Sequence, residues 1–434
     1  MNSSAVLQLL RGYESRNVTF MDPQGGWPIV WQRARGAQVW DAEGREYLDL
    51  TAAFGVAAAG HCNRRVVAAG QRQMSRLMHA MGDVHPHELK ARLARELSRL
   101  TFERWEKGSR GKTIFCNSGF EAVEAGLKTA LLATGRPRVI AFEGAYHGLG
   151  YGALTTTHRR HFREPFRRQL REFASFAPFP KAGAAKIISS LKAVTSAMDK
   201  IAGRARVGAV LVEPIQARGG INIPPPGFLK TLRRWCDAHG ALLIVDEIYT
   251  GFGRTGKWFA CEHEDTVPDV LCLGKALTGG FPLSACVGRA NLMDEAWPSS
   301  SGEAIHTSTF LGNPVGCAMA LANVEEISSR DLINRSAEMG ESLLRELKAG
   351  GIGLRGYRLE ARGAGLMAGL EIRMENGEPA TEAALEAIKT MLQRGYILLP
   401  EGAHGNVISF TPPLTIQKNR LRKAVAELFT VLSG

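Results

Sequence analysis

The sequence predicts an α/β protein: a large domain on a mostly parallel central sheet, with a smaller α+β domain beside it. Three observations predict this. Short branched-apolar runs alternate with helical segments from about residue 113 onward, which is the rhythm of βαβ units. Several of those runs end in acidic or polar residues, as strands do when a ligand site lies at their carboxyl ends. Finally, 434 residues are more than one core usually serves, and the text after residue 320 mixes helix and strand in shorter units.

Taken in order, Val39-Trp40 and Tyr47-Leu48 are strand-like runs around the turn signal Asp41-Ala42-Glu43-Gly44, a hairpin. Between Arg64 and Leu100 apolar residues recur at helical spacing and are interrupted near Pro86, which predicts two helices. Thr113 to Cys116, Val139 to Phe142, Ala209 to Val212, Leu242 to Val245 and Val270 to Leu273 read as strands. A helix is expected over Glu121 to Thr134 and another from Asn313 to about Ser328, while Ile221 to Gly227 must be an extended loop. The expected division is 1–60 contributing to the small domain, 61–320 forming the large domain, and 321–434 completing the small one.

Composition narrows the function. With 45% hydrophobic and 22% charged residues the chain reads as a soluble globular protein. No apolar run approaches the length of a membrane span and the start has no signal-peptide core, so a cytoplasmic location without membrane contact is expected. The seven cysteines are scattered without C-x-x-C spacing, and the histidines form no familiar ligand triplet, so neither disulfides nor a metal site is expected. The net charge of +12 is densest from His158 to Arg171, read here as a solvated surface segment, since no stacking aromatics frame it as a nucleic-acid module.

Three places carry chemistry. At Cys116-Asn117-Ser118-Gly119-Phe120-Glu121 a strand gives way to a helix, whose first N–H groups can receive an anion; an ordinary capped turn reads the same way. Leu242 to Val245 is apolar enough to be central and ends in Asp246-Glu247, so a buried carboxylate there needs a cationic or hydrogen-bonding partner, unless Asp246 only caps a turn. Lys275 follows the apolar run 270–273 among small residues, where a poorly hydrated amine becomes a nucleophile and proton carrier; a snorkelling surface lysine is the bland alternative. Gly251-Phe252-Gly253-Arg254-Thr255-Gly256 matches a dinucleotide fingerprint, but no helical periodicity follows it, so its glycines are read as loop-forming.

In this order the segments resemble the class III pyridoxal phosphate (PLP)-dependent aminotransferases, of fold type I. The markers are Asp41 to Asp49, Gly60-His61, Asn117 to Ala122, Gly144-Ala145-Tyr146-His147-Gly148, Glu213-Pro214-Ile215-Gln216, Asp246 to Gly256, Gly274-Lys275 and His306 to Pro314. The resemblance implies that Lys275 binds PLP covalently and shuttles a proton, that Asp246 holds the pyridine nitrogen, and that Tyr146, with His147 beside it, stacks on the ring. It further implies Ser118, Gly119 and Phe120 at the phosphate, Ile248 on the other ring face, and Glu213 and Gln216 near the ring hydroxyl. Thr309 would reach the phosphate of a partner subunit, making a homodimer the functional unit.

The activity implied is ping-pong transfer of an amino group from a small-molecule donor to a carbonyl acceptor. The same fold also hosts aminomutases, racemases and decarboxylases, and an idle binding protein is the rival from another class. The sequence departs from the family where substrates are recognised. Ser409 stands where many members have the arginine that clamps the substrate carboxylate, and Leu149 where 4-aminobutyrate enzymes often have another. Phe120 and Tyr249 replace a small residue and a glutamine. An amine, amino alcohol or sugar substrate is one reading of these changes; an arginine from elsewhere, Arg218 or one in the 159–171 run, is another.

Overall fold

The computed structural model describes residues 1–23, 26–181, 187–352 and 354–434. Its centre is a seven-stranded sheet in the order Gly111–Cys116, Ser284–Arg289, Val270–Leu273, Leu242–Asp246, Val207–Val212, Arg138–Phe142, Ala174–Ala177. Every strand except Ser284–Arg289 runs the same way. The strands at 207–212, 242–246 and 270–273 are buried along nearly their whole length, because helices cover both faces. This is why they read as continuous apolar runs and not as alternating patterns. The antiparallel Ser284–Arg289 escapes sequence reading, since Ser-Ala-Cys-Val-Gly-Arg has little β-branched content.

The two expected helices lie at Arg64–Arg76 and Glu88–Leu100, started by Asn63 and His87 as N-caps. Helix Gly119–Thr134 begins at a capping box between Ser118 and Glu121 and stops at Gly135 in the left-handed region. Helix Pro314–Ser329, capped by Asn313, runs through the expected division at residue 320.

Two smaller sheets complete the fold. The expected hairpin is present as Gln38–Asp41 and Glu46–Asp49, flanked by Trp31–Arg35, and its inner strand pairs in parallel with Tyr396–Ile397. The C-terminal part forms an antiparallel sheet of Tyr357–Ala364, Met367–Met374, Val407–Phe410 and Leu399–Glu401. The segment 251–256 opens no helix; its turns place Arg254, fully buried, where it donates to the Leu366 carbonyl at 2.9 Å and the Pro412 carbonyl at 2.5 Å. That arginine ties the central sheet's loops to the C-terminal part.

The basic run is not simply a solvated segment. Arg160 and Arg167 are exposed, but Arg163 pairs with Glu172 at 2.6 Å and lies over the Phe176 ring, and Arg159 is half-buried. Aromatic side chains interleaved through the run, Phe162 and Phe166 among them, give it something to pack with. The described cysteines are all free thiols, six of them buried, and no cluster suited to a metal occurs among the described residues. No described helix is long and apolar enough to cross a membrane.

Candidate active site

The loops at the carboxyl ends of the parallel strands converge, as the architecture requires. Of the expected residues, Gly119, Phe120, Tyr146, His147, Glu213, Asp246, Ile248 and Lys275 line one cavity of about 430 Å³. They stand at the carboxyl ends of five different strands of the central sheet, so residues far apart in the chain meet only through the sheet order.

Lys275 sits directly after Gly274 at φ +37°, a left-handed backbone that costs a β-carbon-bearing residue roughly 1–3 kcal/mol. Its side chain is half-buried in the cavity, and desolvation lowers its pKa, partly opposed by Asp246 and Glu213. The Nζ lies 4.4 Å from the centroid of the Tyr249 ring. The amine is thereby desolvated yet still within the field of two carboxylates.

Asp246 is held from both sides: its Oδ1 accepts from Ile248 N at 3.1 Å and its Oδ2 shares a 2.7 Å hydrogen bond with His147 Nδ1. The His147 Nε2 is buried without a hydrogen-bond partner among the described residues. Glu213 joins two loops, accepting from Tyr146 N at 3.0 Å and from Ala217 N at 3.1 Å. Burial pushes its carboxyl up to about 7, with His147 pulling the other way.

Ile248 packs against Gly119 and Gly274; a β-carbon on Gly119 would stand 3.1 Å from the Ile248 side chain. The first turn of helix Gly119–Thr134 leaves backbone N–H groups without intrahelical acceptors, beside the cavity. The Phe120 ring lies over the Gly148–Gly150 loop, where a β-carbon at Gly150 would come within 2.4 Å of it. Phe120 thus fills the space that its glycine-rich neighbours leave.

Three expected residues are not on the cavity wall. Gln216 is buried behind it: its Nε2 donates to the Glu143 carbonyl at 2.7 Å and its Oε1 accepts from Asn222 at 3.0 Å. One donor and one acceptor position of the amide brace the loop, leaving a second N–H and a second lone pair unassigned by these bonds. The Ser118 hydroxyl donates to Glu121 at 3.0 Å. Thr309 is exposed on the loop before helix Pro314–Ser329. Sequence reading missed Glu401 as a neighbour of the site; it ends the short strand Leu399–Glu401 and meets Arg218 only in three dimensions.

The cavity suits PLP on its own chemistry: an amine of lowered pKa, a braced carboxylate, an aromatic wall, an orphaned imidazole nitrogen and an anion-ready helix start. The model of the class-III aminotransferases matches residues 20–432. The chain belongs to the class-III aminotransferase family. It is 38% identical over 412 residues to the acetylornithine aminotransferase of Methanopyrus kandleri, covering 95% of this chain and 96% of that one. The acetylornithine aminotransferase of Methanosarcina mazei is 37% identical over 405 residues, 93% of this chain and 92% of its own. A thermostable (S)-enantioselective omega-transaminase from Thermomicrobium roseum superposes with a TM-score of 0.90 at 26% identity, over 100% of both chains.

This class-III aminotransferase is therefore a PLP-dependent transaminase of fold type I. Its substrate side is less ordinary. Ser409 donates to the Leu399 carbonyl at 3.1 Å and is buried away from the cavity, while Leu149 lines it.

Proposed function

We propose that this transaminase works from Lys275 and Asp246, on a donor whose carboxylate, if it has one, is not held at position 409. The observation that carries the reading is the Lys275 amine, its pKa lowered by desolvation, in one cavity with Asp246. The bound cofactor supplies an aldehyde that captures the donor amine and a protonated ring that draws electrons from the breaking bond at the donor carbon. Lys275 Nζ holds the cofactor between turnovers and, once released, moves the proton at that carbon. Asp246 keeps the ring nitrogen protonated, and His147 keeps Asp246 aimed. Tyr146 and Ile248 bound the ring from opposite loops, and the N–H groups of Gly119 and Phe120 receive the phosphate.

The unit is a homodimer in which Thr309 serves the partner's phosphate. Support comes from an exposed apolar patch: Met78, Met81, Val84, Ile305 and Phe310, each at least 55% exposed, lie on two segments joined by Thr307 to Asp83, Asn313 to the Met78 carbonyl, and His79 against Phe310. The pairing of Glu46–Asp49 with Tyr396–Ile397 supports counting residues 1–60 with the C-terminal domain.

The test is a spectral titration of the PLP form with α-amino acids, ω-amino acids, amines and amino sugars. Conversion to the pyridoxamine form with release of a carbonyl product is expected for at least one class, and Lys275→Ala should abolish it. Donors that bind without ever converting would point to a mutase, racemase or decarboxylase instead.

A further inference from the structure

Beside the Tyr146 wall stands Arg218, with Glu401 against it and Arg159 in its electrostatic neighbourhood. Arg218 lines the cavity, its guanidinium carbon 5.4 Å from the centroid of the Tyr146 ring. Its Nε is 3.4 Å from Glu401 Oε2, yet both atoms are buried without a hydrogen bond among the described residues. Arg159, half-buried against the Phe162 ring, acts electrostatically on Arg218, Tyr146 and Glu401.

The cluster is built rather than incidental. The loop carrying Arg218 is fixed by Gly402 N donating to the Arg218 carbonyl at 3.2 Å. Arg362 donates to the carbonyls of Gly220 at 2.7 Å and Ile221 at 3.0 Å, and is itself anchored on Glu371 at 2.6 Å. These bonds fix the backbone from which the Arg218 side chain reaches the cavity.

We propose that Arg218, with Arg159, is the receptor for a substrate carboxylate in this enzyme, replacing the arginine absent at position 409, and that Glu401 is its resident counter-ion. This rests on the transaminase reading. Two guanidinium groups face one carboxylate, so the ionised cluster carries one surplus positive charge, which a monoanionic carboxylate balances. Arg218 and Glu401 meet without satisfying each other's hydrogen bonds, and a planar carboxylate offers Arg218 the two-point contact that Glu401 does not make. Burial already pushes Glu401 up to about 7, so it neutralises Arg218 incompletely near neutral pH. Between this cluster and Lys275 the wall includes Ile215, Ala217 and the Tyr249 ring, a path suited to methylenes separating carboxylate from amine.

The test compares two donors that differ only in the carboxylate, 5-aminovalerate and pentylamine, in the half-reaction of the PLP-loaded protein. The parent should convert 5-aminovalerate with a specificity about 10- to 100-fold above pentylamine, the range of a charge-assisted two-point contact. Arg218→Gln should bring that ratio close to one by raising the half-saturating concentration of 5-aminovalerate. Arg218→Lys should leave an intermediate ratio, and Glu401→Gln should lower the half-saturating concentration. A ratio that Arg218→Gln leaves as it was would overturn the proposal. Valerate, which has no amine, gives a readout without turnover: it should raise the thermal unfolding midpoint of the parent holoenzyme and not of a folded, PLP-loaded Arg218→Gln. If neither donor converts but valerate behaves in that way, the receptor stands and the transaminase reading fails; a midpoint shift equal in both proteins would sink the receptor.

Discussion

A carboxylate that must keep a ring nitrogen protonated has to be both buried and aimed, and Asp246 is aimed by two donors on different loops, Ile248 N and His147. Removing the charge and removing the aim should have different consequences. Asp246→Asn should slow the half-reaction by about 100-fold or more, as loss of a buried charge at a reacting group does. His147→Ala should cost about 10-fold, with a shifted absorbance maximum reporting the misaimed carboxylate. Stopped-flow absorbance of both variants checks this; equal losses would mean that His147 touches the cofactor's chemistry directly.

Glu401 offers a second prediction at this scale. Its pKa is about 7 in the folded chain against 4.5 for an ordinary glutamate, chiefly through burial, with Arg218, Arg159 and Lys275 opposing. Because the folded value is raised, the stability linked to its proton is full below about 4.5 and is lost as pH climbs through about 7. Glu401→Gln has no proton to lose. Its stability relative to the parent should therefore rise with pH by up to ~1.4 kcal/mol per unit across that window, then level off. Denaturant unfolding between pH 5 and 8 measures the difference, and a flat difference would show that Glu401 is already ionised in the folded chain.

At the scale of elements, the start of helix Gly119–Thr134 matters most, because the capping box of Ser118 and Glu121 fixes where its free N–H groups point. Gly119 cannot carry a large side chain there: even a β-carbon lies 3.1 Å from Ile248, which itself packs on Gly274 next to Lys275. Gly119→Val should push Ile248 into the cavity and weaken PLP retention by about 10-fold, roughly 1.4 kcal/mol, with little effect on overall stability. Fluorescence titration of the cofactor-free protein with PLP reads this. Unaltered retention would mean that Ile248 does not bound the ring.

For the whole molecule, the exposed patch of Met78, Met81, Val84, Ile305 and Phe310 is larger than isolated surface hydrophobes require, and Thr309 lies within it. Phe310→Asp should shift sedimentation from dimer to monomer and loosen PLP, whereas Thr309→Ala should loosen PLP while leaving the dimer. A parent protein that sediments as a monomer would remove both expectations.

The central strands, the two helices between residues 64 and 100, the hairpin before residue 50 and the candidates Lys275, Asp246 and Gly119 were all readable in the chain itself. Their signals are local: an apolar run, a cap, a turn, a lysine among small residues. The same held for the glycines of 251–256, where missing periodicity already argued against a nucleotide loop. What local text does not carry is whether a side chain is already in use. Gln216 looked wholly free for a ligand, but Glu143 and Asn222 take up part of its amide. Ser284–Arg289 is a strand because its neighbours pair with it on both sides, and Arg159 turned out to be packed where composition suggested solvent.

The sequence by itself determined the α/β architecture through local apolar runs, and it pointed to the family through motifs kept in order along the chain, with Lys275 and Asp246 as candidates. Only the tertiary structure decided which charges stand at the cavity mouth. Arg218 meets Glu401 through two loops drawn together by the central and C-terminal sheets, and a contact between distant segments leaves no mark in the local pattern of either.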